Sequence, residues 1–236
     1  MTSSDIFPAS LKNKLIVSCQ ALPGDPLDHT DALRRIAISV LRGGAGGLRA
    51  NGPEHIAAFR RETNLPIIGI FKRFENNEPH ITPGFDDAHA ISEAGADIIG
   101  MDCSSLRHAS SEPWPQLLSR IRQDLRRPVL ADIATFDEAR AAEQAGAAAV
   151  ATTMYGYTPE TVGQRSINWA LVEQLAKSLH VPVVLEGHVR DPEDVRRAFH
   201  LGAFAVVVGA AITQPAAITS RFVAGIPGSL NPKNST

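Results

Sequence analysis

The stretch Val183-Val184-Leu185-Glu186-Gly187 decides how the chain is read. A short apolar run, mostly β-branched, stops at a carboxylate and then a glycine. Pro182 before it and Gly187 after it bound a buried strand. Glu186 then stands at the carboxyl end of that strand, where parallel α/β folds bind their ligands. The same grammar recurs in Ile67-Ile68-Gly69-Ile70-Phe71 before Lys72, in Val129-Leu130-Ala131 before Asp132, and in Leu15-Ile16-Val17-Ser18-Cys19 before Gln20. Several strands ending in polar residues imply side chains that converge on one site.

Strands are expected at 15–19, 46–48, 67–71, 97–101, 128–131, 148–151, 183–186 and 204–208. Helices fall between them. Asp28 or Thr30 caps the first, which runs to about 41, and Pro53 opens the second at its first turn. Thr135 with Glu138 forms a capping box, and Asp191-Pro192-Glu193-Asp194 is a strong helix start. A last helix covers 215–224. Residues 74–84 form a loop, and 1–10 and 227–236 are flexible ends. Helix-end signals at Gly43, Ala94, Ala145 and Leu201 recur with a period of about 50 to 56 residues, the size of a two-strand, two-helix unit. Four such units close a (β/α)8 TIM barrel in a single domain over 1–236. A doubly wound open sheet is the runner-up, but no G-x-G-x-x-G follows a strand.

The chain has 236 residues, enough for one such barrel, and no low-complexity linker divides it. A net charge of −2 does not favour nucleic acid or an anionic membrane as partner. No apolar run is long enough to span a membrane, and no signal-peptide pattern opens the sequence. Cys19 and Cys103, without metal-motif neighbours, are read as reduced cytoplasmic thiols. A homodimer is an assembly such a barrel allows.

In a barrel, Gln20, Arg49, Lys72, Asp102, Asp132, Thr152, Glu186 and Gly209 stand at strand ends and face one mouth. Burying so many polar groups without purpose is costly. Lys72, next to Arg73, suits a base or Schiff-base former with a lowered pKa. Glu186, between Leu185 and Gly187, suits an acid/base with a raised one. Gly187 and Gly209 end the seventh and eighth strands, where many barrels bind phosphate through backbone N–H groups. Arg49 suits an anion. No histidine spacing makes a metal site, and no G-x-S-x-G is present.

Stretches along almost the whole chain resemble the N-acylglucosamine-6-phosphate 2-epimerase family. They are Leu15-Ile16-Val17-Ser18-Cys19-Gln20-Ala21-Leu22-Pro23-Gly24, Leu48-Arg49-Ala50-Asn51-Gly52-Pro53, Pro66-Ile67-Ile68-Gly69-Ile70-Phe71-Lys72-Arg73, Ile81-Thr82-Pro83, Ala131-Asp132-Ile133-Ala134-Thr135, Thr152-Thr153 with Gly156-Tyr157-Thr158, Glu186-Gly187, and Val208-Gly209-Ala210-Ala211-Ile212-Thr213. The resemblance implies interconversion of N-acetylmannosamine 6-phosphate and N-acetylglucosamine 6-phosphate in sialic acid and amino-sugar catabolism, with no added cofactor. It implies Lys72 and Glu186 as the catalytic pair, with Gln20, Arg49, Asp132, Thr152 and Tyr157 on the substrate. The chain departs from the family at Met154-Tyr155, where Leu-Ser is frequent, and at Gln214, where an arginine is frequent. Two rivals remain: an aldolase-type barrel with Lys72 as Schiff base, and a phosphosugar-binding barrel without catalysis.

Overall fold

A computed structural model of the chain describes residues 6–75, 78–107 and 112–227. Ten strands run in chain order: β1 (Lys14–Cys19), β2 (Gly47–Asn51), β3 (Ile67–Ile70), β4 (Lys72–Glu75), β5 (Glu78–Ile81), β6 (Ile98–Asp102), β7 (Val129–Asp132), β8 (Ala149–Ala151), β9 (Val183–Glu186) and β10 (Ala205–Val208). Eight of them close a parallel barrel in the order β1-β10-β9-β8-β7-β6-β3-β2. β4 and β5 pair separately as an antiparallel hairpin.

Alternation along each strand builds two apolar layers. Ile16, Ile68, Ile98, Leu130, Val184 and Val207 are among the side chains that fill the barrel. Their neighbours Val17, Ile67, Ile99, Val129 and Val183 pack outward with the helices. Strands buried on both faces therefore read as continuous apolar runs. Continuing the inward set by two residues reaches Ser18, Asp132, Glu186 and Gly209, and by four on β6 reaches Asp102, so the mouth inherits its side chains from the parity of the core.

The helices are α1 (Thr30–Arg42), α2 (Pro53–Arg60), α3 (Phe85–Glu93), α4 (Trp114–Arg120), α5 (Phe136–Ala145), α6 (Trp169–Ser178), α7 (Pro192–His200), α8 (Ala210–Thr213) and α9 (Pro215–Val223). The capping box at Thr135 and Glu138 and the Asp191 cap are both formed. Among the described residues, no helix is long and apolar enough to cross a membrane.

Three local expectations change. α1 is capped by the His29 ring, which accepts from the Asp31 N–H, and not by Asp28 or Thr30. β2 extends to Asn51, so Arg49 lies within the strand and not at its end. The 74–84 loop is largely the β4–β5 hairpin; Pro79, a poor strand residue, is tolerated because the hairpin has free edges. The expected last helix is present as α9; an additional short helix, α8, precedes it, and Pro215 separates the two at Gln214. Of the expected flexible ends, residues 1–5 and 228–236 lie outside the described residues. Phe7, by contrast, is buried against the Phe204 ring at 5.8 Å and, with Leu11, joins the barrel's inner apolar cluster.

Candidate active site

Arg49 crosses the barrel. Parity points it inward from β2, and Gly100 on β6 leaves the room: an added Cβ there would lie 2.7 Å from Ile70 Cγ2 and 3.6 Å from Arg49 Nη2. The guanidinium reaches the far wall and donates to Asp132 through both ends, Nη1 to Oδ1 at 3.0 Å and Nη2 to Oδ2 at 2.6 Å. Nη1 also donates to Glu186 Oε2 on β9. Arg49 is 1% exposed and Asp132 fully buried, so this is an interior ion cluster. Thr153 completes it, donating to Asp132 Oδ1 at 2.6 Å and lying 3.4 Å from Arg49 Nη1.

Charge decides what the cluster can do. Burial works against the Arg49 cation, but Asp132 and Glu186 overcome it and hold its pKa above the ordinary value. Glu186 is raised, first because burial penalises its charge. Asp132 adds to the rise, while Arg49 and Lys72 oppose it. Lys72 is lowered, first by burial and then by the Arg49 charge, against the pull of Glu186 and Asp132. A carboxyl that holds its proton more readily therefore shares an interior with an amine that releases its own more readily, the condition for proton transfer near neutral pH.

Local structure aims these groups. Lys72 opens β4 rather than closing β3, and its N–H donates to Asn51 Oδ1 at 2.8 Å. The hairpin returns at Thr82, a buried residue with φ of 48°. The Thr82 hydroxyl donates to the Gly100 carbonyl at 2.7 Å and accepts from the Phe71 N–H at 3.1 Å. Thr152 braces Glu186: its hydroxyl donates to the Glu186 carbonyl at 2.8 Å and accepts from the Glu186 N–H at 3.1 Å. Gln20 donates to Ser18 Oγ at 2.7 Å, and its Oε1 is buried without a partner, an acceptor open to a ligand donor.

Gly187 and His188 follow Glu186 with φ of 98° and 60°, two left-handed residues in succession. Gly209 caps α8, where the Thr213 hydroxyl donates to the Ser18 carbonyl at 2.9 Å. Tyr157 stands outside the ion cluster; it is 54% exposed and stacks on the His188 ring at 6.4 Å. The strand-end pattern thus brings Arg49, Lys72, Asp132 and Glu186 together. It missed Thr153, which lies in the 3-10 turn Thr152–Met154 that follows β8, and the bracing residues Asn51 and Thr82.

Asp102 lies opposite Asp132 in the β6–β7 ladder, 2% exposed, and accepts from the Ser104 N–H at 2.8 Å. Burial lifts its pKa from 3.8 to about 6, against the hydrogen bonds from Ser104. Between those values the folded chain keeps a proton that the unfolded chain has lost, so stability falls as pH rises through the window. Asp102→Asn keeps an acceptor for Ser104 and removes that loss. In urea unfolding the variant is expected to gain about 2–3 kcal/mol on the wild type between pH 4 and pH 7.5. A stability difference that does not vary with pH would show that Asp102 titrates alike in both states.

Comparison with known proteins meets this geometry from the other side. A relative from Caldanaerobacter subterraneus subsp. tengcongensis is 40% identical over 215 residues, covering 90% of this chain and 91% of its own. One from Synechococcus elongatus is 44% identical over 206 residues, covering 86% and 89%. Both carry the name "Putative N-acetylmannosamine-6-phosphate 2-epimerase". The solved structure of the N-acetylmannosamine-6-phosphate 2-epimerase from Clostridium perfringens superposes with a TM-score of 0.87 at 36% identity, covering 92% of this chain and 95% of that one. The family described as "Putative N-acetylmannosamine-6-phosphate epimerase" matches residues 33–227. With the barrel closed and matches of this extent, the chain belongs to the N-acetylmannosamine-6-phosphate epimerase family.

Proposed function

We propose that the chain inverts C2 of N-acetylmannosamine 6-phosphate to give N-acetylglucosamine 6-phosphate, in amino-sugar and sialic acid catabolism. The observation that carries this is the half-buried Lys72, with its lowered pKa, beside the Arg49–Asp132–Glu186 cluster. Opening of the sugar to its aldehyde makes the C2 hydrogen acidic. Lys72, acting neutral, takes that proton to leave an enolate and returns a proton to the opposite face. Glu186, able to hold a proton, carries one to and from the ring or carbonyl oxygen. Arg49 places a fixed positive charge beside the enolate oxygen, a kind of preorganised stabilisation worth roughly 3–4 kcal/mol where one donor is lost. Asp132 holds Arg49 in place. Gln20 accepts from the substrate through its open Oε1, and Thr152 supports Glu186. Backbone N–H groups around Gly187 and Gly209 hold the phosphate, and Tyr157 flanks it.

The experiment is proton NMR of N-acetylmannosamine 6-phosphate with the purified chain in D2O, without added cofactor. Loss of the C2 proton signal as the N-acetylglucosamine 6-phosphate spectrum grows supports the reading. An unchanged phosphosugar removes it. Lys72 would also suit a Schiff base, since a desolvated amine is nucleophilic. Borohydride trapping with substrate separates that reading, because a proton-transferring lysine is not trapped.

We also propose a homodimer, working in the cytoplasm. α9 has no buried residue, and Phe222 (76% exposed), Val223 and Ile226 leave its end uncovered. A second copy is the occupant this reading assigns to that face. Light scattering is expected to give about twice the 25.3 kDa chain mass, and Phe222→Asp a monomer. A monomeric wild type counts against the dimer.

A further inference from the structure

The neighbourhood of Lys72 is apolar on one side. In the β4–β5 ladder Lys72 lies directly opposite Ile81, so the two side chains leave the same face of the hairpin, with Cβ atoms about 4.5–5.5 Å apart. Ile81 packs with Ile70, Ala134 and Met154, and Leu106 lies against them. This cluster is separate from the inner and outer layers of the barrel. It joins the end of β3, the hairpin and the segments after β6, β7 and β8, all at the mouth. None of the five side chains offers a strong hydrogen-bond donor or acceptor.

The cluster is held from several sides. Thr82, next to Ile81, is tied by its N–H to the Phe71 carbonyl at 2.8 Å, in addition to its two hydroxyl bonds. The Met154 N–H donates to the Ile133 carbonyl at 3.1 Å. Met154 is 5% and Ile81 6% exposed, so both are packed against neighbours with only a margin free at the mouth.

The chemistry of the substrate supplies the other half. C2 of a 2-acylamino sugar carries the acyl nitrogen. The acyl methyl then lies about 3.8 Å from C2, the distance between consecutive Cα atoms across a trans amide. A base in attack geometry stands about 3–3.5 Å from the carbon it deprotonates. The methyl must therefore lie within about 7 Å of the Lys72 amine, and the apolar surface beside Lys72 is this cluster.

We infer that the Ile70–Ile81–Ala134–Met154 cluster, edged by Leu106, receives the N-acyl methyl of the substrate and sets which acyl groups are accepted, with Met154 as the adjustable wall. The assignment rests on the epimerase reading. It adds that specificity is steric and apolar at this point. A hydroxyl on the acyl group has no partner there and loses its water. A longer acyl chain meets Met154, the most adaptable side chain of the group.

The test compares C2 proton exchange in D2O for the 6-phosphates of N-acetyl-, N-glycolyl- and N-propanoylmannosamine. In the wild type, kcat/KM for the N-glycolyl and N-propanoyl compounds is expected to fall about 10- to 100-fold below that for N-acetyl. Met154→Ala is expected to raise the N-propanoyl to N-acetyl ratio about tenfold and leave the N-glycolyl ratio low. Ile81→Thr, which offers a hydroxyl, raises the N-glycolyl ratio instead. These are ratios between substrates on one protein, so a general loss of activity or stability does not move them. If the wild type exchanges all three equally, or Met154→Ala and Ile81→Thr leave the ratios unchanged, the acyl assignment is overturned while the epimerase stands. If no exchange occurs even with the N-acetyl compound, the epimerase reading fails and takes this assignment with it.

Discussion

Lys72→Met is expected to lose roughly a thousandfold in turnover, within the 10²–10⁴ range for a positioned acid–base group, and to fold as the wild type does. Methionine keeps the unbranched stem beside Ile70 and Ile81 and removes only the amine. Stability should not fall with it. The folded pKa of Lys72 lies below its ordinary 10.5, because burial and the Arg49 charge disfavour the cation. Between the two values the unfolded chain binds more protons, so wild-type stability rises with pH across that window and carries the full cost of the buried cation below it. At pH 7, Lys72→Met is therefore expected to match or exceed the wild type in urea unfolding. The same sign governs activity. The neutral amine is the working form, so kcat/KM should climb as pH rises through the lowered pKa, and should be substantial well below pH 10. A variant that keeps about a tenth of wild-type turnover or more would remove Lys72 from the role of base.

Arg49→Met is expected to be the most destabilising single change in the mouth, at about 3–5 kcal/mol. The wild type encloses one guanidinium against two carboxylates, with Asp132 fully buried and the Glu186 side chain 12% exposed. Taking the cation away leaves the two carboxylates facing one another with no charge between them and only the Thr153 hydroxyl on Asp132. Acid should relieve the variant: Glu186 already holds its proton more readily than usual, chiefly through burial, and losing Arg49 strengthens that tendency. The folded variant then binds more protons than its unfolded chain, so its deficit is expected to be smaller at pH 5 than at pH 8. The triple variant Arg49→Met, Asp132→Asn, Glu186→Gln should recover part of the stability and none of the activity. Urea unfolding of Arg49→Met within about 1 kcal/mol of wild type at pH 8 would mean that the ion cluster carries little net energy.

The order of elements was legible because its signals are local. A proline before an apolar run, a glycine after a helix, and the Thr135–Glu138 box each act on residues within one turn of themselves. Six of the eight strand runs ended near the polar residue that closes them and the last ended at Gly209, and parity then sets which side chains face inward. β2 was misplaced by the same logic. A charged residue inside a buried strand is costly, so Arg49 looked like a terminus. Its partners lie 83 and 137 residues away, and no local signal announces them.

The hairpin, the roles of the paired threonines and the bare α9 were decided in the same way, by contacts distant in sequence. Thr152 and Thr153 are adjacent and alike, yet one hydroxyl clamps the Glu186 backbone and the other enters the ion cluster, because the 3-10 turn after β8 sends consecutive side chains in different directions. By itself the sequence determined an eightfold strand–helix alternation, the polar set at the strand ends and the family it resembles. Only the tertiary structure decided that Arg49 spans the barrel, that Lys72 stands on a hairpin against an apolar wall, and that its amine is desolvated beside a cation. Burial and charge pairing are properties of the closed barrel, summed over residues that the chain keeps far apart.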